Sequence, residues 1–182
     1  MVNRCQWANS HPLLIKYHDE EWGNPVYDDQ ILYENLILET FSTGLSWLII
    51  LKKRDAFRKA FDYFDIEKVM SYDENKINEL LQNKEIVRSK AKIIATIQNS
   101  KIIYDLQKEY GSFSNYLWNY TNHTTLYPEN YETHNALSDL ISSDLKKRGM
   151  KFFGSVTCYS YMQSIGMLDC HSKDCFKYHQ IK

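Results

Sequence analysis

Leu145-Lys146-Lys147-Arg148-Gly149-Met150-Lys151-Phe152-Phe153-Gly154-Ser155 joins two helical segments through a short turn bounded by glycines. Glycine lets the backbone turn sharply and lets another backbone come close. The helix that starts at Ser155 opens with unpaired N–H groups, which suit an anion such as phosphate. Lys146, Lys147 and Lys151 surround that point. The unit resembles a helix-hairpin-helix, a module that grips a nucleic-acid backbone without reading sequence. A plain turn between two core helices fits the same residues equally well.

The flanking sequence is helical in pattern. Ala136, Leu137, Leu140, Ile141 and Leu145 precede the turn, and the following segment runs from Ser155 to near Gly166. Few stretches alternate in the manner of strands, so the expected class is all-α. Asp28-Asp29 starts a helix that runs to about Thr43, with apolar residues around most of its surface, so it should be buried. A second helix is expected from about Leu45 to the basic group Lys52-Lys53-Arg54. Ser71 with Glu74 reads as a capping box for a helix carrying Ile77, Leu80 and Leu81. A long helix from about Arg88 should stop at Gly111. Residues 119–135 read as a loop, and the first 27 residues as aromatic coil packed over the helices.

The 182 residues carry a formal net charge of −1, so any nucleic-acid contact must be local rather than a general basic field. Short runs such as Lys52-Lys53-Arg54 also serve as solvated partners of helix dipoles. No apolar run has the length of a membrane span, and the N-terminus shows no secretory pattern. A cytoplasmic protein is the expectation.

Four cysteines and six histidines raise the question of a metal. Cys5 and His18 lie near the start, and His171 and Cys175 near the end. The His-x-x-x-Cys spacing can place both side chains on one side of a helical turn, and these are ligand types that zinc prefers. Separate core cysteines and surface histidines are the alternative. Cys170 and His179 compete as ligands, and Cys158 reads as core packing. Glu39, on the mostly apolar helix, needs either a partner or a cavity, unless it joins Asp28, Asn35 and Ser42 on a narrow solvated face.

Several blocks in order carry a family likeness: Cys5-Gln6-Trp7, Tyr17-His18-Asp19-Glu20-Glu21-Trp22-Gly23, Gly44-Leu45-Ser46-Trp47, Leu51-Lys52-Lys53-Arg54, Lys146-Lys147-Arg148-Gly149-Met150-Lys151-Phe152, and His171 with Cys175. Together they resemble the bacterial 3-methyladenine DNA glycosylase I family, constitutive alkylation-repair enzymes of the helix-hairpin-helix superfamily. The resemblance covers almost the whole chain. It implies one glycosylase domain over residues 1–182, with two helical lobes around a base pocket. It implies a pocket of Trp7, Tyr17, Trp22, Glu39 and Trp47, with Glu39 as the catalytic carboxylate. Gly44 and Leu45 match the tip that enters the DNA stack, and Lys146, Lys147, Gly149, Lys151 and Gly154 match the backbone grip. One structural zinc is implied on Cys5, His18, His171 and Cys175, joining the N- and C-terminal segments. The implied partner is double-stranded DNA carrying alkylated bases. The implied enzyme is a monomer in the bacterial cytoplasm, at the nucleoid when it acts. The implied reaction is that of a monofunctional glycosylase, which leaves an abasic site. Three positions depart from the family run. Thr40 holds the small-residue place, Ser42 replaces Gln, and Thr43 replaces Ala. The Gln meets the gap in the DNA, so Ser42 shortens that contact and leaves the lesion range open.

Overall fold

The computed structural model describes residues 2–130 and 132–179. Nine α-helices and three short 3-10 turns make up the regular structure among them, with one isolated β-bridge between Leu126 and Leu168.

The central element is α2 (Asp29–Ser42). Asp28 caps it by accepting from the Ile31 N–H, and the Asp29 carboxylate accepts from the N–H groups of Phe113 and Ser114. Leu32, Leu36, Ile37, Leu38 and Phe41 are fully buried, as their wrap around the helix predicts. Around α2 pack α3 (Trp47–Ala60), α6 (Lys90–Tyr110), α7 (Phe113–Trp118) and α9 (Ser155–Ser164). The remaining helices are α1 (Pro12–Glu20), α4 (Ile66–Met70), α5 (Glu74–Gln82) and α8 (Ala136–Lys147).

Several expectations need correction. The first 27 residues are not coil: Gln6–Ser10 is a 3-10 turn, and Pro12 opens α1, where its missing N–H costs nothing. Helix α3 begins at Trp47 and continues to Ala60, so Lys52-Lys53-Arg54 lies within it rather than at its end. Asp73, not Ser71, caps α5 by accepting from the Lys76 N–H, while the Ser71 hydroxyl closes α4 on the Lys68 carbonyl. Helix α6 starts two residues late, at Lys90, behind a Ser89 cap, and ends at Gly111 as expected. The segment 119–135, in which residue 131 lies outside the described residues, holds a 3-10 turn and the bridge to Leu168.

The hairpin behaves as its glycines suggest. Helix α8 ends with paired bonds from the Met150 N–H to the Leu145 carbonyl and from the Gly149 N–H to the Lys146 carbonyl. This closure needs a left-handed residue, and Gly149 supplies it at φ +101°. Met150 and Phe153 turn into the core, while Lys146, Lys147, Lys151 and Gly154 stay exposed. Arg148 is occupied by Glu109 and Asp144.

Candidate active site and metal cluster

The end of α1, the last turn of α2 and the start of α3 converge on one cavity of about 580 Å³. It brings together all five expected pocket residues: Trp7, Tyr17, Trp22, Glu39 and Trp47. The Tyr17 and Trp47 rings lie 5.5 Å apart, and Trp7 meets Trp22 edge-on at 5.1 Å. Leu45 lines the cavity while remaining 40% exposed, so it sits on the rim. Gly44 beside it adopts φ +78°, and an added Cβ would meet nothing within 4 Å.

Glu39 is not on a solvated face. It is 6% exposed, and its neighbour on that stripe, Asn35, is equally buried. Among the described residues no cation pairs with the carboxylate; its one hydrogen-bond donor is the Ser42 hydroxyl, at 3.3 Å. Burial therefore pushes the Glu39 carboxyl up to about 8 from an ordinary 4.5, against a smaller opposing pull from Ser42. Burial also raises the Tyr17 phenol well above its usual range, and the nearby Glu39 adds to this. The Trp47 indole N–H is buried and has no partner among the described residues. The cavity thus sets a carboxylate with a single hydroxyl donor among aromatic faces, which is the equipment for reading a flat polar ring.

Sequence reasoning missed part of the wall. Ser160 and Gln163 come from α9, and Cys170 and Ser172 from the segment beyond it. Ser160 and Gln163 are three residues apart on a helix, so one face of α9 carried a signal.

Behind the aromatic wall, the donor atoms of Cys5, His18 and Cys175 lie within 4.8 Å of one another, all three residues buried. His18 presents Nε2 to the Cys175 sulfur at 3.4 Å and directs Nδ1 to Asp19 at 2.8 Å. A carboxylate behind the outer nitrogen is the usual support of a metal-binding histidine. Asp19 is itself held by Arg4. The Cys5 sulfur accepts from the Ser172 N–H, and the Cys175 sulfur from the Lys177 N–H. His171 falls outside the three-residue cluster. Its Nδ1 pairs with Asp169 at 2.6 Å, and its Nε2 is buried with no partner among the described residues. Gly23 makes room for this ring: a Cβ there would lie 2.5 Å from His171 Cε1.

An all-helical chain with a glycine-bounded hairpin and an aromatic cavity around one buried carboxylate defines the helix-hairpin-helix class. Within that class, the methyladenine glycosylase model matches residues 7–178, and the chain belongs to this family. It is 38% identical to a DNA-3-methyladenine glycosylase of Haemophilus influenzae, over 96% of this chain and 97% of that protein. It is also 38% identical to DNA-3-methyladenine glycosylase 1 of Escherichia coli, over 97% of each. The solved structure of 3-methyladenine DNA glycosylase I from Staphylococcus aureus, described as revealing 3-methyladenine recognition, superposes with a TM-score of 0.91. That structure is 36% identical, and the match covers 96% of this chain and 95% of the other.

Proposed function

We propose that this protein hydrolyses the N-glycosidic bond of 3-methyladenine in double-stranded DNA, as a monofunctional glycosylase of base excision repair. The observation that carries this reading is Glu39, a buried carboxylate in an aromatic cavity with no cation beside it. Methylation at N3 makes the adenine in DNA cationic, whereas ordinary adenine is neutral. A cationic ring supplies the charge that Glu39 lacks and draws the carboxyl back to its ionised form. The faces of Trp and Tyr attract the same charge through their ring quadrupoles.

The reaction needs little else from the protein. The base flips out of the duplex at a cost of a few kcal/mol, offset by stacking and hydrogen bonds in the cavity. Leu45, carried on Gly44, fills the gap it leaves. The C1′–N9 bond breaks with its electron pair going to the base, which departs neutral and so needs no acid. Water adds to C1′ and gives up a proton, leaving an abasic site. Ionised Glu39 stabilises the positive sugar as the bond breaks. Lys146, Lys147 and Lys151, with the turn at Gly149 and Gly154, hold the DNA backbone. Residues of both helical lobes thus act as one domain about the pocket. We place this work in the bacterial cytoplasm, by a monomer. None of the helices described is long and apolar enough to cross a membrane.

We further propose one structural zinc on Cys5, His18, His171 and Cys175. The buried, partnerless Nε2 of His171 supports it as the fourth ligand beside the clustered three. Two cysteines and two histidines form a closed set, so an ion held there would join the N- and C-terminal segments. Metal analysis of purified protein should find about one zinc per chain, the stoichiometry of a four-ligand site; its absence removes the assignment.

Chromatography of bases released from randomly methylated DNA tests the activity. Free 3-methyladenine is the expected product. Release of a different alkylated purine would shift the specificity. Salt-sensitive DNA binding with no base released would make the protein a binding module instead.

A further inference from the structure

Helix α6 contributes nothing to the cavity, yet it holds both loops that the functional reading assigns to DNA. Lys92 is 9% exposed and, among the described residues, has backbone carbonyls rather than a carboxylate as its partners. Its ammonium donates to the carbonyls of Phe41 at 2.9 Å and Thr43 at 2.6 Å. These lie at the C-terminal end of α2, immediately before Gly44 and Leu45. A helix end leaves carbonyls without partners, and a cation there is favoured by the helix dipole. Burial lowers the Lys92 pKa, so the charge is held at a cost in desolvation.

Seven residues further along α6, Asn99 is fully buried. Its amide accepts from the Lys151 N–H at 2.9 Å and donates to the Lys151 carbonyl at 3.0 Å, pairing like a strand with the hairpin. Gln98 donates to the Gly149 carbonyl at 2.7 Å. Positions seven apart lie on one face of a helix, about 10 Å apart along its axis.

We infer that Lys92 and Asn99 are positioning residues, with α6 acting as a rigid spacer that sets the distance between the Leu45 wedge and the phosphate-gripping hairpin. The inference rests on the reading of those loops given above. A wedge can enter the stack only where the grip has placed the flipped nucleotide. A displacement of an ångström at either loop should therefore weaken action on DNA while leaving the cavity intact.

The test compares Lys92→Met and Asn99→Ala with the wild type in three measurements: kcat/KM on methylated duplex, affinity for the duplex, and affinity for free 3-methyladenine by tryptophan fluorescence. Each variant should lose about ten- to a hundredfold in kcat/KM on the duplex. Free-base affinity should stay within about twofold, since neither residue lines the cavity. The double variant should lose little more than the worse single one, because either change already uncouples the two loops. Gln98→Ala alters an exposed side chain, so it keeps the test available if a buried variant does not fold; it should show the same pattern at smaller size. Wild-type duplex affinity and kcat/KM in the variants would overturn the inference, as would a parallel loss of free-base affinity. A wild-type protein that releases no base would defeat the functional reading, and the variants' duplex affinity would still decide this one.

Discussion

Two glutamates on α2, five residues apart, are buried to nearly the same degree and do opposite things. Glu34 is 9% exposed and Glu39 is 6% exposed. Glu34 accepts from Arg54 at 2.7 Å and from Arg58 at 2.8 Å, and Arg54 reaches on to Glu21 at 2.6 Å. Among the described residues Glu39 has only the Ser42 hydroxyl. Burial of a charge is costly unless partners replace the water. At Glu34 the protein provides those partners from α3. At Glu39 it provides a hydroxyl and a cavity, the place that the proposed function gives to a cationic base. The difference shows why the extent of burial is a poor guide to function, and why the identity of the partner is a good one.

The strongest way to break the comparison is Glu39→Gln. Removing the negative charge should reduce 3-methyladenine release by about a hundred- to a thousandfold, the usual worth of one group aimed at transition-state charge. Circular dichroism should show the fold intact. Full release by this variant would make Glu39 dispensable. Glu34→Gln should do the reverse. It leaves Arg54 and Arg58 short of a partner, with Glu21 and Asp55 as partial replacements, so stability should fall by about 2–3 kcal/mol in denaturant titrations. Activity per folded molecule should hold.

A third prediction concerns pH. In the folded protein Glu39 titrates near 8, above its ordinary 4.5, so the folded state keeps a proton that the unfolded state gives up. Between these values the unfolded state binds fewer protons, and stability falls as pH rises. Below about 4.5 the group contributes no penalty, and above about 8 the full penalty is present. Glu39→Gln should therefore gain stability over the wild type from pH 5 to pH 8, by about 4 kcal/mol at the upper end. A pH-independent difference between the two would contradict the raised pKa. The smallest effect belongs to Ser42→Ala. It removes the one hydrogen bond that opposes burial, worth about 1 kcal/mol. The acidic limb of the pH–rate profile should move upward by well under one unit.

The helices were readable where apolar residues wrap a cylinder, as in α2 and α6, and where glycine stops a helix, as at Gly111 and Gly149. The N-terminal helix was not, because Pro12 and its aromatic neighbours obscure the periodicity. Ser71 misled because a serine that ends one short helix stands two residues from the aspartate that caps the next. Within the pocket, helical spacing alone placed Glu39 with Asn35 on a wet face, since periodicity cannot report which other helices cover that stripe. Only the blocks shared with a known family brought Trp7, Tyr17, Trp22, Glu39 and Trp47 together. Lys92 and Asn99 escaped notice altogether. A lysine and an asparagine within a helix look like surface residues until a loop from elsewhere is seen seated on them.

The clasp between the segments around Cys5 and Ser172 bears on how the pocket forms. Ser172 bonds to the sulfur of Cys5 across 167 residues, and the Phe176 N–H donates to the Asn3 carbonyl. Trp7 and Trp22, half the aromatic wall, pack against this junction. In chain order Trp7 and Trp22 stand far ahead of Ser172 and Phe176, which fasten them. Packing of α2 with α3 alone leaves that wall unanchored. The pocket is thus built from contacts of high sequence separation, and it closes with the whole fold rather than with any one of its helices.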